Sequence, residues 1–254
     1  MAAAYDRWLV PTLFVPCAEQ VAPLVAAGAP HEVLELAAGT GILTRAMIEV
    51  LPRSSTVTAT DLSPAMVEVG RSVAPEATWQ QADAMDLPFE DARFDAVVCQ
   101  FGVMFFPDRQ AAMAEACRVL RPGGRLVLAI WDAVDTQAFA APLQAALDAR
   151  WPDDPPRFLT EIPYGYHDTA LVEEDVHGGG FAEVSVERRS VEGTSPSAAD
   201  VTRGFCFGTP LRAELEARGA LDELVDALAD EVTARLGSGP VSGPMGYLLV
   251  DARA

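Results

Sequence analysis

Three residues concentrate the chemistry this chain could do: Gly39, Gly41 and Asp61. The glycines lie in Val33-Leu34-Glu35-Leu36-Ala37-Ala38-Gly39-Thr40-Gly41, directly after an apolar run. Glycine permits a tight turn there and lets the backbone come close to a ligand. The continuation Gly39-Thr40-Gly41-Ile42-Leu43-Thr44 lacks the third glycine of GxGxxG, which a dinucleotide site uses for packing beside a pyrophosphate. The loop therefore need not serve a pyrophosphate. Asp61 ends the next strand-like segment, 20 residues after Gly41. A carboxylate at that place can accept hydrogen bonds from both hydroxyls of a ribose, so an adenosine-like ligand is implied.

Residues of this kind need elements that bring them to one edge. His31 to Leu36 reads as a short strand, Ile42 to Leu51 as a helix stopped by Pro52, and Thr56 to Thr60 as a β-branched strand. Ser63 as N-cap and Pro64 at the first helical position open a helix over Ala65 to Val73. Thr78 to Gln81 and Phe94 to Cys99 are further strands, with a helix over Arg109 to Leu120 after them. Arg121 to Gly124 reads as a turn, Arg125 to Trp131 as a buried strand, and Thr136 to Trp151 as a helix. Such alternation implies a parallel sheet with helices on both faces and a ligand edge at the strand C-termini. Residues 152–168 are Pro-rich and read as an irregular loop over that edge. A short helix over Thr169 to Val176, a strand over Phe181 to Arg189, helices within 196–236 and a closing strand over Tyr247 to Ala252 complete the pattern.

Composition closes off rival chemistries. The 254 residues include no lysine and no asparagine, and all 18 basic residues are arginine. That excludes a P-loop, a pyridoxal Schiff base and N-glycosylation. The net charge of −19 opposes nucleic acid phosphates. Cys17, Cys99, Cys117 and Cys206 show no metal-type spacing. The apolar runs are interrupted by charges or proline before the roughly 20 residues of a bilayer span, and the first residues lack a signal-peptide pattern. A cytoplasmic protein without membrane, metal or nucleic acid partners is expected, as a monomer or homodimer.

Five motifs then occur in order: VLELAAGTG (33–41), TATDLSPAMV (58–67), QADAMDLPF (81–89), FDAVVCQFGVMFFPD (94–108) and RVLRPGGRLVLAIW (118–131). In this the chain resembles the class I S-adenosylmethionine-dependent methyltransferases, specifically the small-molecule type that includes the ubiquinone/menaquinone biosynthesis methyltransferases. The resemblance implies an α/β, Rossmann-like, doubly wound sheet of seven strands, mostly parallel with the last antiparallel. A helical insertion would precede the final strand. One domain over 1–254 is expected, with an N-terminal helical cap at 1–30, a cofactor-binding core at 31–150 and a substrate-side helical insertion at 190–240. The implied cofactor is S-adenosyl-L-methionine, leaving S-adenosyl-L-homocysteine as product.

The resemblance also implies residue roles. Glu35 would lie near the methionine moiety, while Ala37, Gly39 and Gly41 would offer backbone contacts to the amino-acid and ribose parts. Asp61 would take the ribose hydroxyls, with Leu62 and Met66 flanking the adenine. Asp83 would accept from the adenine amino group and Ala84 would donate its N–H to a ring nitrogen. Gln100 and Phe101 would lie beside the methyl donor. Taken singly, Asp61 and Asp83 also suit helix or turn caps, and Met66 suits a core. Ala38 departs from the Cys or Gly usual at its position.

Methyl transfer from a sulfonium needs alignment and exclusion of water more than a catalytic set. No general base is defined; Tyr5, Tyr164, Tyr166 and His167 are candidates to line the substrate side, with Tyr5 and His167 the ones considered for proton transfer. His167 equally suits a surface position. Cys99-Gln100-Phe101-Gly102 replaces the (N/D)PP(Y/F/W) motif of nucleic acid N-methylating enzymes. The expected substrate is a small organic molecule, apolar or aromatic from Phe158, Tyr164, Tyr166, Phe205 and Phe207. The alternative is a protein that binds S-adenosylmethionine without transferring methyl, cyclase-like or regulatory.

Overall fold

The computed structural model describes residues 2–254. The chain forms two compact units, one of residues 1–17, 132–166 and 190–246, the other of 18–131, 167–189 and 247–254. The second unit carries the sheet that positions the site. Its strands are β1 (Glu32–Glu35), β2 (Thr56–Asp61), β3 (Thr78–Gln81), β4 (Phe94–Gln100) and β5 (Leu120–Trp131), joined by parts of β6 (Glu183–Ser195) and β7 (Val241–Arg253). The spatial order is β3-β2-β1-β4-β5-β7-β6. Neighbours from β3 through β5 are parallel, and β7 runs antiparallel to β5. The expected seven-stranded, doubly wound α/β fold is present.

Register explains why one edge holds the candidate residues. Glu35 pairs with Ala59 and Val98, Asp61 with Gln81, and Gln100 with Ala129. Parallel strands in this register end side by side. The order reverses at β1, with β2 on one side and β4 on the other, and such a switch point opens a crevice at the strand ends. The strand cores are apolar and almost fully buried (Val33, Leu34, Val97, Val98, Leu126, Ile130), as a sheet covered on both faces requires.

Several elements differ from the sequence expectation. The expected turn Arg121–Gly124 belongs to β5 as a bulge: Phe94 faces Leu120 but Ala96 faces Arg125. Four residues thus oppose Asp95 alone, and the left-handed Gly123 (φ +78°) absorbs the extra length. Ser63 sits at the helix N-cap, but its side chain makes no capping bond. The helix expected from Thr136 starts at Ala140, after a 3-10 turn over Val134–Thr136. β7 begins at Val241, six residues before the expected strand start at Tyr247.

The N-terminal segment also corrects an expectation. A continuous helix of 22 residues runs over Tyr5–Ala26; its most apolar 18-residue window has mean hydropathy 1.5, long and apolar enough by those measures to cross a membrane. Pro11 and Pro23 lie inside it instead of ending it. Tyr5–Phe14 is a π-helix, in which Val15 N–H donates to Val10 O. The altered ladder accommodates a residue without an N–H. Half of this helix is buried. Within the first unit Leu9 packs where a Cβ on Gly204 would lie 2.7 Å from its Cδ2. Within the second, Gln20 accepts from Tyr247 Oη at 2.7 Å.

Candidate cofactor site

The turn after β1 is built from left-handed residues at alternate positions: Ala37 (φ +50°), Gly39 (φ +56°) and Gly41 (φ +88°). Ala37 holds this conformation despite its Cβ, a strain that surrounding contacts must sustain. Ala38 N–H donates to Thr60 O at 2.9 Å and Gly41 N–H to Ala38 O at 3.0 Å. Asp61 completes the clasp, accepting from Gly39 N–H through Oδ2 (2.8 Å) and from Ser63 N–H through Oδ1 (2.9 Å). The Ser63 carbonyl in turn accepts from Met66 N–H at 3.1 Å and Val67 N–H at 3.2 Å. Each carboxylate oxygen has a second lone pair, so both can still accept from a ligand.

Glu35 lies beneath the turn, 2% exposed. Its Oε2 accepts from Thr44 Oγ1 at 2.6 Å, and its backbone carbonyl accepts from Thr60 Oγ1 at 2.8 Å. Burial pushes its carboxyl up to about 8; the Thr44 hydroxyl pulls the other way and the charge of Asp61 adds to the rise. Glu35 is thus largely protonated near neutrality, while Asp61 faces the crevice in a half-buried position.

A tryptophan holds the turn in place, and the sequence analysis missed it. A Cβ on Gly41 would lie 2.9 Å from the Trp79 ring, and one on Gly70 would lie 2.2 Å from it. Trp79 Nε1–H donates to Ala74 O at 3.0 Å, and its ring packs with Ala38, Ala59 and Val67. Gly41 and Gly70 therefore supply, around one indole, the close packing that a third turn glycine supplies elsewhere. The available signal was a bulky aromatic residue in a four-residue strand with a glycine in the preceding helix.

The other expected residues are placed as follows. Leu62 is 64% exposed, an uncovered apolar shelf beside Asp61, and Met66 is half-buried on the helix that follows. Asp83 Oδ1 accepts from Met85 N–H at 2.9 Å, so the turn-capping reading is realised with one oxygen; Ala84 is 9% exposed. Gln100 ends β4. Phe101 follows in a left-handed conformation (φ +56°), with its ring stacked on Trp131 at 3.6 Å and an interplanar angle of 3°. Gly102 is required where β1 and β4 loops meet, because its Cβ would lie 2.5 Å from Ala37 Cβ and 2.8 Å from Cys99 Sγ. The Cys99 thiol is pushed up to about 12 by burial and is no nucleophile at neutral pH.

The substrate-side candidates divide between the two units. In the first unit Tyr5 packs its ring against Phe14 at 5.0 Å, and Tyr164 and Tyr166 are each 3% exposed. Phe158 and Phe205 are buried and Phe207 is half-buried. Residues 152–168 are therefore not a loose loop: Phe158–Glu161 is a short helix, and Phe158, Leu159, Tyr164 and Tyr166 are buried while Ile162 is exposed. His167 is half-buried in the second unit, where its carbonyl accepts from Arg188 Nη2 at 3.3 Å. Among the described residues no group of three or more His, Cys, Asp or Glu could hold a metal ion.

A doubly wound sheet with a glycine turn at its switch point and a carboxylate ending β2 defines an open α/β class whose ligand crevice lies at the strand C-termini. Comparison with known proteins narrows the class. Residues 34–128 match the family model described as "Methyltransferase domain". A ubiquinone/menaquinone biosynthesis C-methyltransferase of Saccharophagus degradans is 38% identical over 104 residues, 39% of this chain and 42% of that protein. A demethylmenaquinone methyltransferase of Thermus thermophilus is 43% identical over 104 residues, 39% of this chain and 47% of that one. The chain thus matches less than half the length of these relatives. The crystal structure of a SAM-dependent methyltransferase from Thermotoga maritima covers 98% of this chain and 94% of its own, with TM-score 0.58 and 16% identity, and so shares the fold.

Proposed function

We propose that this protein transfers a methyl group from S-adenosyl-L-methionine to a small organic acceptor by in-line displacement. The observation that carries the reading is Asp61: its carboxylate is fixed by the Gly39 and Ser63 amides with one lone pair of each oxygen to spare. Two vicinal ribose hydroxyls suit that arrangement. The exposed face of Leu62, with Met66, would take the adenine, and Asp83 and the Ala84 N–H would read its edge. Glu35, Ala37, Gly39 and Gly41 would surround the amino-acid and ribose parts, with Gln100 and Phe101 toward the methyl donor.

When bound, the cofactor supplies a methyl group already activated on a sulfonium. The chain's own contribution is then placement. The strained turn at Ala37 and the Phe101–Trp131 stack fix two loops on either side of the β1–β4 junction, and rigid loops hold reactants in one geometry. Glu35 in its neutral form avoids adding a second buried negative charge beside Asp61. No residue is assigned as base, since a carbon, oxygen or nitrogen acceptor differs in whether a proton must leave. Tyr5 and His167 remain the candidates for that step.

The acceptor is proposed to be apolar or aromatic. The names of the matched relatives speak of ubiquinone and menaquinone biosynthesis and of C-methylation. A charge of −19 disfavours nucleic acid as acceptor. We further infer a cytoplasmic monomer or homodimer without membrane attachment, the Tyr5–Ala26 helix serving as a packing element. Incubation with methyl-labelled cofactor and a panel of quinols, phenols, amines and sugars tests the reading. Release of S-adenosylhomocysteine with an aromatic or apolar acceptor is expected. Tight cofactor binding with no transfer to any class would favour a binding protein, and transfer confined to sugars would overturn the acceptor class.

A further inference from the structure

At the opposite edge of the same sheet, where β1, β4 and β5 begin, a cavity of about 340 Å³ opens among Arg121, Arg125, Arg253, His31, Asp95 and the Gly123 turn. All of these belong to the second unit. In a chain of net charge −19, three arginines line this cavity against one carboxylate, Asp95. Their commitments differ. Arg125 is locked: Nε and Nη2 donate to the two Asp251 oxygens at 2.8 and 2.6 Å, and Nη1 donates to Leu24 O. Arg121 donates through Nη1 to Asp95, whose other oxygen accepts from the His31 and Glu32 amides at 2.8 Å each. Its Nε and Nη2 have no partner among the described residues. Among the described residues Arg253 reaches only Gly123 O, at 3.4 Å, outside good hydrogen-bond geometry. The His31 imidazole is exposed and unpartnered among the described residues.

We propose that this cavity binds a small organic molecule bearing a carboxylate or phosphate. The locked Arg125 and Asp95 form a pre-ordered wall, while Arg121 and Arg253 keep forked donors free for an oxyanion. Ala29 and Pro122, both exposed, offer a small apolar side to the body of the ligand, and the volume matches a small-metabolite site. The floor is rigid, because Gly123 N–H donates to Ala254 O at 2.9 Å and Ala254 N–H to Gly124 O at 3.0 Å. The site lies at the strand starts, away from Asp61, and does not depend on the methyl-transfer reading.

Calorimetric titration of the full chain with phenyl phosphate, benzoate and inorganic phosphate, ionic strength held constant with chloride, tests the proposal. Saturable binding is expected, with phenyl phosphate or benzoate tighter than inorganic phosphate. The stronger of those two identifies the head group. R253Q should weaken binding by about tenfold or more, R253K by less, and R121Q by a similar factor, with S-adenosylhomocysteine affinity unchanged throughout. Arg253 is exposed and holds only the long Gly123 contact, so its substitution leaves the fold intact. No saturable binding by any of the three probes overturns the proposal. So does equal affinity in R253Q and the parent, or a response that tracks ionic strength alone.

Discussion

Asp61 and Asp95 are the same residue type at opposite edges of one sheet, and their surroundings differ. Asp95, at the start of β4, gives one oxygen to two backbone amides and the other to Arg121. Amides and guanidinium together hold its carboxyl below the usual value against the cost of burial. Asp61, at the end of β2, gives each oxygen to a single amide, and no arginine pairs with it among the described residues. One carboxylate is spent on fastening a strand start. The other fastens a turn and keeps acceptors in reserve. The edges also differ in their cations, three arginines around the cavity at the strand starts against a buried neutral Glu35 and an open Asp61 at the strand ends. The contrast shows that polarity along parallel strands sorts similar side chains into pins and receptors.

Four substitutions probe that contrast. The largest effect is expected at Glu35. A carboxyl whose value rises from 4.5 unfolded to about 8 folded is stabilising only below the unfolded value, and stability falls as pH rises toward 8. Glu35→Gln should therefore remove a decline on the order of 3 kcal/mol between pH 5 and 8, measured by denaturant unfolding of both proteins. Parallel curves for the two would show that Glu35 is not buried in neutral form.

Asp95→Ala should cost about 2 kcal/mol of stability, since two amides and a guanidinium lose their acceptor. Its S-adenosylhomocysteine affinity should not change. Asp61→Ala should do the reverse in emphasis, weakening S-adenosylhomocysteine by about tenfold or more in calorimetry. If Asp95→Ala weakens the cofactor as much as Asp61→Ala, the division between edges fails. The smallest effect belongs to Arg45→Ala: the Arg45–Glu49 pair is 3.3 Å long and exposed on both sides. A change under about 0.5 kcal/mol is expected, with cofactor affinity intact.

Legibility in the sequence followed the range of the interactions. From residue 31 to 131 the strands and helices lie within a few residues of their expected places, because periodicity and proline or glycine breaks act locally. Gly39, Gly41 and Asp61 were readable for the same reason: turn geometry and strand ending are local properties. Trp79 was not readable as the buttress of the turn, since it meets Gly41 from 38 residues away. Ser63 misled in part: it stands at the N-cap, but its hydroxyl makes no capping bond. Tyr164 and Tyr166 lie in a stretch that read as an irregular loop, yet both are buried, a matter of which partners fold onto them.

The sequence alone determined the order of elements, the glycine turn, the carboxylate at the end of β2 and the closure of lysine-dependent chemistry. It did so because those features depend on residue type, spacing and backbone freedom. Tertiary structure decided the proton affinity of Glu35, the bulge at Arg121–Gly124, the helix that continues through Pro11, and the arginine-lined cavity. Each depends on what distant segments place alongside, and desolvation, strand register and converging charge exist only once the chain has folded.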